Sequence, residues 1–171
     1  MQLKQATAAD APIISLILAA SWRSAYRGLL PQEYLDSIAD TRWIGIFEKL
    51  LPEGKTRALL ACEEQTVCGC ISFGELTGME GAPPPPASWG YVLTLYVHPD
   101  HTRKGYGTAL LAAAEDSLRL QGYTHCFLYV LDTNLIARRF YENSGYAWDN
   151  TGIDCAVGTA TVRDLRYVKV L

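Results

Sequence analysis

The stretch WGYVLTLYV, residues 89–97, constrains this chain more than any other. Both of its alternating faces are apolar, so it predicts a central strand covered on each side. Pro99 stops the strand, and HTRKGYGTALL (101–111) follows, with Gly105 and Gly107 opening an apolar helical run. Leu110, Leu111, Ala114 and Leu118 make one stripe of a helix from about Gly105 to Gln121, which Gly122 ends. A buried strand leading through a glycine turn into such a helix predicts an α/β domain.

The remaining elements fit that frame. A short strand at Leu3–Ala6 precedes an amphipathic helix over Ala11–Tyr26, with Thr7 and Asp10 as starters and Pro12 tolerated in the first turn. Gly28 ends that helix; Pro31 and Asp40 each begin a further short one, the second reaching about Leu51 before Pro52–Gly54 breaks it. Strands over 56–64 and 66–76 form a hairpin, and TGMEGAPPPPAS (77–88) is too rich in Gly and Pro for regular structure. A buried strand at 124–132 leads to a helix over Asn134–Ser144, closed by Gly145, and strands near Ala147–Cys155 and Thr161–Val170 finish the chain. The 171 residues read as one domain, 1–171, with a mixed sheet, no internal repeat and no linker.

Composition narrows the function. The net charge of −3 and the lack of any basic run beyond Arg103-Lys104 or Arg138-Arg139 argue against nucleic-acid binding. The longest apolar stretch, APIISLILAA, is interrupted by Pro12 and Ser15 and far too short to span a bilayer, and MQLKQATAAD has no apolar core of signal-peptide type. Cys62, Cys68, Cys70, Cys126 and Cys155 fit neither a zinc pattern nor a CxxC redox pair, so they read as reduced, mostly buried residues of a cytoplasmic protein.

The glycine loop carries the first chemical signal. The first N–H groups of a helix have no internal partner, and the helix dipole adds partial positive charge there. Without side chains at 105 and 107 an anion can approach the backbone, and phosphate is the usual guest. Neither a Walker loop nor a dinucleotide fingerprint is present, since no Gly-Lys-Ser/Thr occurs and Leu110 stands where a third glycine is needed. The second signal is NLIARRFYENSGY (134–146). Asn134, Ala137, Arg138 and Tyr141 share one helix face, and a polar Asn and a Tyr with a small Ala between them suit the wall of a groove.

The central strand, HTRKGYGTALL and NLIARRFYENSGY together resemble the GNAT superfamily of acetyl-coenzyme A-dependent N-acetyltransferases. The resemblance covers nearly the whole chain in element order and is strongest over 89–146. It implies a mixed, mostly antiparallel central sheet flanked by helices and acetyl-coenzyme A as co-substrate; no metal is expected, since the cysteines show no zinc pattern. By the same resemblance the segment Arg103, Lys104, Gly105, Tyr106, Gly107 and Thr108 cradles the coenzyme pyrophosphate with backbone N–H groups. Leu95, Tyr96 and Val97 pair their backbone with the pantetheine arm, Asn134 and Ala137 line it further along, and Tyr141 stands near the sulfur. Two positions depart from the family pattern: Thr102 replaces the usual Gln or Arg, and Arg103 stands where glycine is frequent.

Acetyl transfer to an amine needs a neutral acceptor, a donor facing the carbonyl oxygen and a proton for the departing thiolate. The resemblance assigns the last role to Tyr141 and the second to a backbone N–H at a ladder break beside Leu95 or Tyr96. Glu75, Asp132, His98 or a water chain could serve as base, and no single one is singled out. The acceptor side is expected between the first helices and the proline loop, with Trp22, Tyr26, Tyr34, Glu75 and Glu80 as wall residues suited to a cationic amine such as a polyamine. A small-molecule amine acetyltransferase is the leading expectation. A protein N-terminal or lysine acetyltransferase, a non-catalytic acyl-coenzyme-binding module and a homodimeric assembly stay open.

Overall fold

The computed structural model describes residues 1–75 and 82–171. Its strands are β1 (Gln2–Gln5), β2 (Thr56–Glu63), β3 (Thr66–Gly74), β4 (Trp89–Val97), β5 (His125–Leu131), β6 (Ala147–Val157) and β7 (Ala160–Val170). They form one sheet in the order β1-β2-β3-β4-β5-β7-β6. Among these strands of the described residues β4 and β5 run parallel, and the other pairings are antiparallel. The helices are α1 (Ala11–Ala25), α2 (Gln32–Asp36), α3 (Ile44–Leu50), α4 (Tyr106–Leu120) and α5 (Leu135–Asn143).

The sheet is covered on both faces, as the doubly apolar β4 demands. On one face α4 lays Leu110, Leu111 and Leu118 against Ile71, Val92 and Leu128, and Phe140 and Tyr141 of α5 pack onto the same core. On the other, α1 sets Ile14, Ile17 and Leu18 against Phe47 of α3 and Leu60 of β2. The start of α1 follows its sequence signals. The Asp10 carboxylate accepts hydrogen bonds from the Thr7 N–H (2.8 Å) and hydroxyl (3.0 Å), and Pro12 falls in the first turn.

Two glycines set how closely α4 lies on the sheet. A Cβ at Gly69 would stand 3.3 Å from Leu110 Cδ1, and one at Gly90 only 2.6 Å from Leu118 Cδ2. The two leucines therefore occupy the space that side chains on β3 and β4 would take.

Several expectations shift in detail. β4 is buried on both faces only over Gly90–Val92; Leu93 is exposed and Thr94–Val97 are partly open. The chain between α2 and α3 is turn rather than helix, so the second short helix begins at Ile44 instead of Asp40. β3 ends at Gly74, and the proline loop is without helix or strand over 82–88, while 76–81, with Glu80, lie outside the described residues. β6 and β7 extend to a tight turn at Gly158–Thr159, because Val157 still pairs with Ala160. All five cysteines are free, and no helix among the described residues is long and apolar enough to cross a membrane.

Overpacking a well-filled core costs about 1–3 kcal/mol. Gly90→Val should therefore destabilise the fold by about that amount, read as a lower midpoint in urea, because fully buried Leu118 must move. By contrast Gly45→Ala, where a Cβ meets nothing within 4 Å inside α3, should stabilise by about 0.5–1 kcal/mol.

Candidate active site

The site begins where two strands part. β4 and β5 pair only from Trp89 with His125 to Tyr91 with Phe127, and then diverge. On the other side of β4 the ladder to β3 shifts register: Ser72 pairs with Thr94 but Phe73 with Val92, leaving Leu93 as an extra, bulged residue. The ladder break expected beside Leu95 or Tyr96 thus lies about two residues earlier, at Leu93.

Beyond the bulge, backbone direction follows from strand alternation. His98 N–H donates to the Cys68 carbonyl (2.8 Å), so Tyr96, two residues before, also turns its peptide groups toward β3, opposite Cys70. Leu95 and Val97 turn theirs to the side that β5 has vacated. Ser21 of α1 donates its hydroxyl to the Val97 carbonyl at 3.1 Å, which marks that direction directly. Of the three residues expected to offer backbone to a pantetheine arm, Leu95 and Val97 are placed to do so and Tyr96 is not. Tyr96 instead sends its phenol to Tyr26, with the two hydroxyls 3.2 Å apart.

The opening holds two adjoining cavities. One, of about 250 Å³, reaches from Leu93 and Tyr129 past Tyr26 and Tyr96 to Tyr141. The other, of about 440 Å³, runs from Tyr141 along Ala137, Phe140 and Ile136 to Arg103, Gly105, Gly107 and Thr108. Leu95, Val97, Thr102, Asn134, Ala137 and Tyr141 line both, so they form one continuous groove.

At its outer end the loop geometry suits an anion. Gly105 is left-handed (φ +84°), which glycine alone adopts without cost, and it caps α4. The first α4 N–H with a partner in its own helix is that of Ala109, bonded to the Gly105 carbonyl at 3.0 Å. The N–H groups of Tyr106, Gly107 and Thr108 therefore face the groove end uncommitted to the helix. Arg103 is also left-handed, at φ +64°, the backbone state for which glycine would be the unstrained choice there. Thr102 closes the turn with its hydroxyl on the Pro99 carbonyl (3.1 Å). Tyr106 contributes backbone only, since its ring is buried in the core, and Lys104 points off toward Glu63, 3.9 Å away.

The α5 face is only partly as expected. Asn134 caps its own helix, its side-chain oxygen accepting from the Ala137 N–H at 3.1 Å, which leaves its amide NH₂ to the groove. Arg138 turns away to Asp132 (3.0 Å) and the Tyr167 hydroxyl (3.1 Å). Tyr141 faces the junction of the two cavities. Burial pushes its phenol well above the ordinary tyrosine pKa, so it is protonated throughout the neutral range.

Trp22 packs within an aromatic cluster, its ring 4.8 Å from Tyr26 and 5.8 Å from Trp43, and Tyr34 joins the same cluster; Trp22 stands behind the cavity wall that Tyr26 forms. Glu75 is exposed past the end of β3, its N–H on the Lys55 carbonyl (3.1 Å). Among the described residues neither lines the groove. The base candidates Asp132 and His98 are engaged with Arg138 and Asp100.

One carboxylate absent from the sequence reading is Asp164 of β7. It shares a strand face with Val162, which packs against the same buried cluster as Tyr26 and Trp22, and it receives the Cys155 thiol at 3.8 Å. Burial raises its pKa, and its charge in turn helps raise that of Tyr26, after the larger effect of burial. No local signal distinguishes it: Asp164 alternates with Arg163 and Leu165 like any residue of an outer strand. Only the insertion of β7 between β5 and β6 brings it inward.

Comparison with known proteins agrees with this architecture. The chain is 25% identical over 158 residues to the spermidine N(1)-acetyltransferase of Thermoplasma acidophilum, covering 88% of this chain and 91% of that one. Among solved structures, the PaiA N-acetyltransferase of the same organism in complex with coenzyme A superposes with a TM-score of 0.75 at 22% identity, over the full length of both chains. The ribosomal-protein-alanine N-acetyltransferase of Brucella melitensis gives a TM-score of 0.77 at 17% identity, again over both full lengths. The family model for the acetyltransferase (GNAT) family matches residues 17–146, well over half of the chain, and the chain therefore belongs to that family of acyl-transferring enzymes.

Proposed function

We propose that this enzyme moves the acetyl group of acetyl-coenzyme A directly to a primary amine of a small cationic acceptor, both substrates being bound together. The observation that carries this reading is the continuous groove with Tyr141 at its middle. One end is a bare helix start suited to the pyrophosphate, and the other is the smaller cavity walled by Tyr26, Tyr96 and Tyr129. About 250 Å³ between phenol rings suits a narrow aliphatic amine, whose ammonium form the ring faces also attract, better than a folded polypeptide. The polyamine activity named for the Thermoplasma relative supports the same class.

The chemistry then follows from charge. An alkylamine with a pKa near ~10.4 costs roughly 4–5 kcal/mol to deprotonate at pH 7. Its proton needs a sink, and we assign that role to Asp164, acting behind Tyr26 through its hydroxyl or a water. The neutral nitrogen attacks the thioester carbonyl carbon, and negative charge gathers on the oxygen. The bulge at Leu93 is the place where a backbone N–H is released from the ladder to meet it. As the carbon–sulfur bond breaks, the electron pair leaves on sulfur. A thiol has a pKa near ~8.5, below that of the Tyr141 phenol, so Tyr141 holds the thiolate by a strong hydrogen bond and full proton transfer is uphill. The ammonium gives up two protons in all: the first passes through Asp164 to solvent, and the second, shed by nitrogen as the carbon–sulfur bond breaks, goes to the thiolate, so the products are the amide and the coenzyme thiol.

The test is release of free thiol from acetyl-coenzyme A across a panel of diamines, polyamines, aminoglycosides and peptides. Turnover with linear polyamines and none with peptides is expected; turnover with peptides alone would overturn the acceptor assignment. In that assay Tyr141→Phe, which keeps the ring and its packing, should lower kcat by about tenfold to a hundredfold and leave coenzyme affinity within a few-fold. Unchanged turnover would reduce Tyr141 to a packing residue, and collapsed affinity would make its role binding.

Asp164→Asn separates catalysis from stability. The raised folded pKa means that the ionised form is disfavoured in the folded state, a cost present above that pKa and removed as pH falls through it. The variant should therefore be at least as stable as the parent at pH 7 while losing about tenfold or more in kcat. The parent's kcat should climb with pH as Asp164 ionises, and this limb should vanish in the variant.

A further inference from the structure

Across the coenzyme loop from the groove, three residues from distant parts of the chain converge. Glu63 ends β2, Cys68 lies in β3, and His101 sits in the turn between β4 and the glycines. One donor atom of each, a carboxylate oxygen, the sulfur and a ring nitrogen, lie within 4.8 Å of one another. Cys68 is fully buried and Glu63 exposed, so the cluster is closed beneath and open to solvent above.

The partners these groups have are poor. His101 Nδ1 is sealed from solvent and meets no hydrogen-bonding atom among the described residues. A buried nitrogen left so is costly unless something supplies its missing partner. The Cys68 thiol makes a weak contact with the Thr66 carbonyl, at 3.6 Å. The Tyr106 hydroxyl lies beside both Glu63 and Cys68, bringing a fourth oxygen to the same place.

We propose that Glu63, Cys68 and His101 form a three-ligand site for a divalent transition metal of the zinc class, the fourth position being taken by water or the Tyr106 oxygen. One thiolate, one imidazole and one carboxylate, a soft, a borderline and a hard donor, are all ligand types that zinc accepts tetrahedrally. With bonds of about 2.0–2.3 Å, tetrahedral ligands stand roughly 3.5 Å from one another, so the cluster must close by about 1 Å. Exposed Glu63 can supply most of that movement by a change of rotamer.

The site bears on the coenzyme loop through two residues. His101 and Tyr106 bracket Thr102–Gly105, so a metal joining them would hold the loop at both ends. Lys104 now stands 3.9 Å from the Glu63 carboxylate, and a cation taking that carboxylate releases the ammonium to the phosphate end of the groove. The metal is thus structural and tunes coenzyme affinity without entering the chemistry.

The test uses tag-free, chelator-stripped full-length protein titrated with Zn²⁺ against a chromophoric chelator, and separately with Co²⁺ while the visible and near-ultraviolet spectrum is recorded. One equivalent of Zn²⁺ should bind, and Co²⁺ should give tetrahedral bands with a thiolate charge-transfer band. His101→Asn and Glu63→Gln, the milder changes, should each weaken Zn²⁺ by about tenfold or more, and Cys68→Ser should remove the charge-transfer band. Cys62→Ser, altering the neighbouring thiol, should change neither. Zn²⁺ should also tighten coenzyme A binding in the parent and not in His101→Asn. No binding by the parent, or one equivalent retained in both His101→Asn and Cys68→Ser, would overturn the proposal. Because the metal titration needs no acceptor and no turnover, its failure is distinct from failure of the acetyl-transfer reading.

Discussion

Everything at the site depends on the interruption of one ladder. After Tyr91 and Phe127 the parallel pairing of β4 and β5 stops, and Leu95 and Val97 turn unpaired peptide groups into the gap. A peptide left out of the ladder must find another partner, so the groups that line the gap matter. Ser21 meets the Val97 carbonyl in the free protein. On the proposed reading the amide-bearing arm of the coenzyme meets the rest, completing the sheet as a strand would. The bulge at Leu93 and the divergence fall together on β4, so the same short segment that loses one neighbour also shifts against the other.

The packing around this gap keeps it in place. Gly69 and Gly90 let α4 settle onto β3 and β4, and the position of α4 fixes where its bare first turn points. α5 approaches from the far side of the gap, held by Arg138 on Asp132 and Tyr167, and Tyr167 by Glu142 at 2.8 Å. That network sets the register of the helix on which Tyr141 stands. On the proposed reading, a phenol whose pKa is raised by burial is suited to giving a hydrogen bond at sulfur rather than to cycling its proton.

Much of this was legible in the chain. The doubly apolar WGYVLTLYV located β4 to the residue, and the glycines located the start of α4, because strand alternation and helix capping are local matters. Asn134, Ala137 and Tyr141 fell on the groove for the same reason, as positions along one helix face. Non-local outcomes escaped. Half of β4 is open rather than buried because β5 departs from it, and nothing in either strand's composition announces the parting. Tyr96 turns its peptide groups toward β3 because of a register fixed by the partner strand. Asp164 becomes a partly buried carboxylate only through the β5-β7-β6 order, and Glu63, Cys68 and His101 meet only once the hairpin and the loop are stacked. Trp22 and Glu75 show the reverse, aromatic and acidic residues that position alone could not separate into core and site.

The most direct measurement is a calorimetric titration of coenzyme A into the parent and into Gly107→Val. A Cβ at Gly107 would meet Phe140 and Val97 only at ordinary contact distances, 3.6 and 3.8 Å, so the fold has room for that atom, while on the proposed reading a side chain there stands between the phosphate and the backbone. Saturable 1:1 binding by the parent, with affinity at least about tenfold weaker in the variant, a loss of about 1.4 kcal/mol or more, is the predicted result. No binding by the parent, or equal affinity in both proteins, would contradict the assignment of this groove to the coenzyme.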